Sequence, residues 1–173
     1  ISLHDATLLR DGAYVGLEKY RDMLTDEYFW EALYNTFCFV VISTPIITVV
    51  GLVMALLVNS RLLGTWMLRT VFFMPFVLAV SVVASIWKFI LRPYSGLISS
   101  VLSQLGYEGQ VFWLDEPNLA WLSIVVTTLW WTVGFNMVLF LAGLQEIPDD
   151  YYEAARMDGA SDWQQFRFIT LPL

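Results

Sequence analysis

The chain has 173 residues, 58% of them hydrophobic and 14% charged, with a mean hydropathy of +0.63. Soluble domains sit near about 45–50% apolar and about a quarter charged, so a chain of this composition needs lipid as its solvent and is not an ordinary soluble domain. The formal charge of −7 comes from sixteen acids against nine bases, and the acids lie almost entirely outside the apolar runs, a surface that excludes nucleic acid as a partner. A single Cys38 cannot form an intrachain disulfide and reads as a small buried apolar residue. A single His4 excludes a multi-histidine metal site within the chain. No catalytic residue, metal ligand or cofactor is expected in it.

Residues 1–35 are mixed and charged, an external segment in which Gly16-Leu17-Glu18-Lys19-Tyr20 through Leu24 reads as a short amphipathic helix. Thr25 is the expected N-cap of the next helix, with Asp26 and Glu27 suited to its positive end. Helix is expected to run on into a first membrane span over 36–58, which no charge interrupts and which covers roughly 34 Å, enough for the bilayer core. Pro45 lies inside it, a break that membrane helices tolerate. A second span is expected over 68–90, kinked at Pro75, with Arg69 and Lys88 near its ends where long side chains reach the headgroups. The intervening loop, 91–118, should carry a short amphipathic helix over 95–105 that uses Leu97, Ile98, Val101, Leu102 and Leu105. Gly106, Gly109 and Pro117 punctuate the rest of that loop, and Tyr94, Tyr107 and Trp113 suit an interfacial belt. A third span is expected over 119–144, so that 36–144 forms the transmembrane core.

The linker 59–67 together with Arg69 holds two arginines, Arg61 and Arg69, and no acid, which places it in the cytoplasm. Residues 1–35 and 91–118 then face outward and 145–173 inward. The chain opens on Ile1 and closes on Leu171-Pro172-Leu173, so it is expected to be a piece of a longer protein, with a further span before residue 1 and another after residue 173. There is no G-x-x-x-x-G-K-[ST] phosphate loop, so ATP hydrolysis by that route is not expected of this chain. No Asp, Glu or His lies within a span, which disfavours a proton-coupled carrier or an intramembrane protease built from these spans.

The segment 145–173 reads QEIPDDYYEAARMDGASDWQQFRFITLPL. Pro148 suits a first helical position, with Asp149 and Asp150 at the positive end, and Ala154, Ala155, Arg156 and Met157 are good helix formers. Gly159 falls where the helix should stop and the chain turn. Ser161 with Gln164 makes a capping box for a second short helix. Trp163, Phe166 and Ile169 fall on one side of it, and Pro172 ends it or opens the next span. This spells a compact hairpin whose small alanines can sit close in another protein's groove and whose Glu153 can meet a cation there.

Glu153-Ala154-Ala155, with Gly159 six positions after the glutamate and Ile169-Thr170-Leu171-Pro172 closing the segment, resembles the signature loop of binding-protein-dependent ABC importer permeases. Asp158-Gly159-Ala160, Trp163 and Phe166 resemble its carbohydrate-uptake branch, which includes the maltose and glycerol-3-phosphate permeases. So do Gly16–Tyr20, Phe29–Thr36, Leu68-Arg69-Thr70 through Pro75, Trp87-Lys88 and Leu141–Pro148, and the likeness runs over nearly the whole chain. It implies an all-α membrane protein with three transmembrane helices of a six-helix permease, plus short amphipathic and coupling helices. It implies a multi-pass transport subunit of a prokaryotic cytoplasmic membrane that carries a sugar or related polyol and is not itself an enzyme. ATP and Mg would be bound by separate ABC ATPase subunits, an external solute-binding protein would deliver the solute, and a second permease subunit would complete the pore. Glu153, Ala154, Ala155, Asp158, Gly159 and Ala160 would form the coupling loop held in a groove of the ATPase. Rival readings are an ABC permease for a non-carbohydrate solute and a membrane scaffold without transport.

For the substrate path, Asn136 can touch solute or make an interhelical hydrogen bond, the commoner fate of a membrane asparagine. Trp130 and Trp131 can stack on a sugar ring. Neighbouring positions point about 100° apart, so at least one is expected to pack or face lipid. Thr127, Thr128 and Ser81 are weaker candidates, since Ser and Thr often sit at helix contacts. Pro45 and Pro75 read as static kinks, and Arg61 and Arg69 as topology determinants.

Overall fold

The computed structural model of the chain describes residues 14, 16–59, 64–107 and 109–173; His4 and Arg61 lie outside them. The chain divides into two units, Ile1–Val41 and Ile42–Leu173. The described elements are all helical.

In the first unit, helix α1 spans Glu18–Thr25 and has no buried residue. Thr25 does not cap the following helix as expected. It is the last residue of α1, and its hydroxyl donates backwards to the carbonyls of Arg21 at 3.2 Å and Asp22 at 2.9 Å. Asp26 does the capping: its backbone is extended, at φ −79° and ψ 121°, and its carboxylate accepts from the Tyr28 amide at 3.0 Å. A carboxylate is the stronger acceptor at a helix N-terminus, where the dipole favours negative charge. The Trp30 indole closes the corner by donating to the Leu24 carbonyl at 2.9 Å. Helix α2 then runs unbroken over Glu27–Asn59, through Pro45. Helix thus runs from the residue after the cap into the expected span over 36–58, as anticipated.

In the second unit, α3 spans Thr65–Phe73, a single 3₁₀ turn spans Met74–Val77, and α4 spans Val80–Ile90. The expectation of one helix kinked at Pro75 is overturned. The two arms meet at 99°, and the corner lies at Leu78 and Ala79, both extended, with ψ of 139° and 141°. Pro75 has no N–H to continue the ladder and its ring crowds the carbonyl of Val71. The chain therefore tightens into a 3₁₀ turn and then leaves the helix at Leu78. Helix α5 spans Leu97–Gln104, and α6 spans Pro117–Glu146 with Pro117 at its start. Of the expected apolar face of α5, Ile98 and Leu102 are half-buried while Leu97, Val101 and Leu105 stay exposed.

The core of this unit joins Ala55 and Val58 of α2 to Met137 and Leu141 of α6, flanked by Met54, Val138, Phe140 and Leu144. Against α3, helix α6 presents Gly134, where an added Cβ would fall onto the Phe72 carbonyl. Only glycine admits that approach, the small-residue contact typical of membrane helices. By length and composition, Glu27–Asn59 and Pro117–Glu146 can each cross a membrane, and the bent pair of α3 and α4 makes a third crossing when counted as one broken span.

Candidate functional site

After α6 the chain turns through Ile147 and Pro148, both extended, into α7, Asp149–Met157. Pro148 is thus the residue before the helix rather than its first residue. Asp149 and Asp150 occupy the first turn and Arg156 the last, complementing the dipole at both ends. The end of α7 is a Schellman motif. The Ala160 amide donates to the Ala155 carbonyl at 2.9 Å and the Gly159 amide to the Arg156 carbonyl at 3.1 Å. Gly159 takes φ +78°, the left-handed conformation the motif needs at this position. Helix α8, Asp162–Gln165, starts on the expected capping box. The Gln164 amide donates to the Ser161 hydroxyl, and the Ser161 amide to the Gln164 side chain at 2.8 Å. Residues Phe166–Thr170 then widen into a π-turn, and Trp163 packs on Phe166 with ring centroids 5.5 Å apart.

The two arms of this hairpin are tied together on one side. Tyr152 Oη lies 3.0 Å from Thr170 Oγ1, and the Gln165 side-chain amide donates to the Ala160 carbonyl at 3.1 Å. The motif lies in the chain between these ties. Glu153, Ala154, Asp158 and Gly159 are exposed, Ala155 and Ala160 half-buried. Among the described residues, Glu153 has no hydrogen-bond or ion-pair partner. The result is a small-sided tip with exposed carboxylates at Glu153 and Asp158.

The substrate-path candidates do not all converge on one place. Trp131 donates its indole N–H to the Leu78 carbonyl at 3.3 Å and lies 6.3 Å from the Phe76 ring, which stacks on Phe135 at 4.5 Å. It therefore serves the corner between α3 and α4, whose carbonyl has lost its helical partner. Trp130 points elsewhere, edge-on to Trp87 at 5.9 Å. Asn136 donates to the Thr132 carbonyl of its own helix at 3.0 Å. Thr127 bonds back to Ser123 at 2.7 Å and, with Trp87, Lys88 and Thr128, lines a cavity of about 220 Å³ between α4 and α6. Ser81 is exposed on α4.

Sequence reading missed three features. The Tyr152–Thr170 pair is separated by eighteen positions, and nothing local to either residue announces it. The Leu78 carbonyl became visible only once the break was known. Gly134 carried a usable signal, as a small residue inside an apolar span.

The chain belongs to the family of binding-protein-dependent transport system inner membrane components, whose model matches residues 30–173. It is 40% identical over 174 residues to the trehalose/maltose transport system permease protein MalF of Thermococcus litoralis, an alignment covering all of this chain and 59% of that protein. It is 38% identical over 160 residues to the sulfoquinovosyl glycerol transport system permease protein SmoG of Agrobacterium fabrum, covering 92% of this chain and 52% of that one. A bacterial ABC transporter involved in the import of the acidic polysaccharide alginate superposes with a TM-score of 0.82 at 25% identity, over 92% of this chain and 56% of the solved one. The same kind of transporter, in complex with an alginate pentasaccharide-bound periplasmic protein, gives 0.81 at 26% identity. The chain spans about half the length of the relatives it matches.

Proposed function

We propose that this chain is the core of a permease subunit in an ATP-driven importer, that it passes a sugar or related polyol through a prokaryotic cytoplasmic membrane, and that the hairpin 148–172 is where it receives energy. The observation that carries this is the tip itself: small exposed side chains, a Schellman turn at Gly159 and a carboxylate at Glu153 without a partner, all directly after a membrane-length helix. A groove on an ATPase subunit that offers a cation to Glu153 fits this shape and charge. ATP and Mg bind to that subunit. Its closure pushes on the hairpin, and the push enters the spans through α6 as a rigid-body motion. A second permease subunit faces this one across the path, and an external solute-binding protein loads it at the segments 1–35 and 91–118. The sugar assignment is supported by relatives named for trehalose/maltose and sulfoquinovosyl glycerol transport.

The docking is tested by cysteine crosslinking in the full-length transporter. Ala155→Cys should crosslink to the ATPase subunit and not to the external binding protein. Crosslinking to the binding protein alone would reverse both the docking and the orientation.

A further inference from the structure

The hydroxyl pair that joins the two arms of the hairpin is placed to do more than stabilise it. Tyr152 sits half-buried in α7, and Thr170 is the last residue of the π-turn. Thr170 Oγ1 also faces the Gln165 carbonyl at 3.5 Å. With its proton turned there, Tyr152 is the donor in the 3.0 Å contact. The chain of bonds continues from Gln165, whose side-chain amide donates to the Ala160 carbonyl at 3.1 Å. Both ends of the motif turn are thus tied to the segment 165–170 that follows it. Single-turn π-helices are rare and cluster at functional positions. Here the widened turn brings the Thr170 hydroxyl to Tyr152.

We propose that Tyr152 and Thr170 are a positioning pair that fixes the angle between α7 and the returning segment, so that force applied at Glu153–Ala160 reaches both membrane attachments of the hairpin together. Without the pair, the hairpin transmits through α6 alone and folds at Gly159 when pushed. The inference rests on the docking role assigned to the hairpin above. It concerns residues outside the Glu153–Ala160 motif. Loss of one such hydrogen bond shifts the ratio of closed to splayed hairpins by about five-fold.

Two measurements on the full-length protein test it. In nanodiscs, on a cysteine-free background, nitroxides at Met157→Cys and Phe168→Cys, which are 89% and 73% exposed, report the distance between the arms. The unchanged hairpin should give one narrow distribution. Tyr152→Phe and Thr170→Val should each broaden it, the double variant should broaden it no further, and Thr170→Ser should keep it narrow. Narrow distributions in both Tyr152→Phe and Thr170→Val overturn the pair. The second measurement is ATP hydrolysis by the reconstituted complex with and without the purified solute-binding protein. Both variants should keep the basal rate and lose most of the stimulation, with Thr170→Ser rescuing it. Broadened distances with full stimulation overturn the role in coupling. Absence of stimulation in the unchanged complex, or failure of Ala155→Cys to reach the ATPase, removes the docking role beneath the proposal and leaves the distance result standing.

Discussion

A side chain at Gly134 would have nowhere to go. The Phe72 carbonyl occupies the place where its Cβ would stand, with the Phe73 amide nitrogen at 2.8 Å from the same point, and neither is a flexible side-chain end that can swing away. Gly134→Ala should therefore push α3 off α6 and lower stability by about 1–3 kcal/mol. Gly143, on the same helix, has open space within 4 Å, and Gly143→Ala should leave stability unchanged or slightly raised. Thermal unfolding of the two variants in detergent checks the pair, and equal midpoints would refute the close packing. Trp131 teaches the same lesson from the polar side. Its indole reads from sequence as a surface for a sugar ring, yet it is engaged with the Leu78 carbonyl. A membrane interior offers no water to an orphaned carbonyl, so a tryptophan N–H is a costly thing to remove from that site. Asn136 is in a similar position, bonded within its own helix to Thr132. The Gly134 and Trp131 contacts depend on residues far away in the chain, and no local pattern could have supplied them.

At the scale of elements, legibility followed locality. The hairpin was readable because its signals are short-range: two aspartates at one helix start, a glycine at the stop and a serine three residues before a glutamine. All of them fall where the structure puts α7, the Schellman turn and α8. The boundary at Thr25 and Asp26 failed by one residue, because both residue types cap helices and only the backbone conformation decides between them. The corner between α3 and α4 failed more deeply. Proline predicts a disturbance, but whether it yields a kink or a right-angled corner depends on whether another helix will satisfy the freed groups. At Gly159 the backbone demand is explicit. Its φ of +78° lies far from the value near −65° that proline imposes. Gly159→Pro in the full-length protein should cut uptake by roughly tenfold or more while insertion stays intact, since the turn lies outside the spans. Uptake assays beside a membrane-fraction immunoblot check this, and normal uptake would remove the hairpin from the transport cycle.

At the scale of the whole molecule, many of the large apolar side chains of α2, α3 and α4 face outward. That is the condition of a chain whose surface is meant for lipid and for other helices. The arrangement of arginines in the sequence leads us to expect the α5 region outside and the hairpin inside. In intact cells, Leu105→Cys should react with a membrane-impermeant maleimide, and Met157→Cys only after permeabilisation. The residues are 78% and 89% exposed, so access to the label depends on the side of the membrane alone. The reverse pattern would invert the topology.

The corner at Leu78 also sets an order of events during synthesis. Neither α3 nor α4 is long enough to cross a bilayer by itself, and the carbonyl at their junction is served by a tryptophan 53 positions downstream. When the ribosome delivers this pair, the helix that completes it has not yet been made. The Leu78 carbonyl therefore gains its indole partner only after α6 has emerged. A nascent chain that ends before Trp131 carries the Leu78 carbonyl without its indole partner.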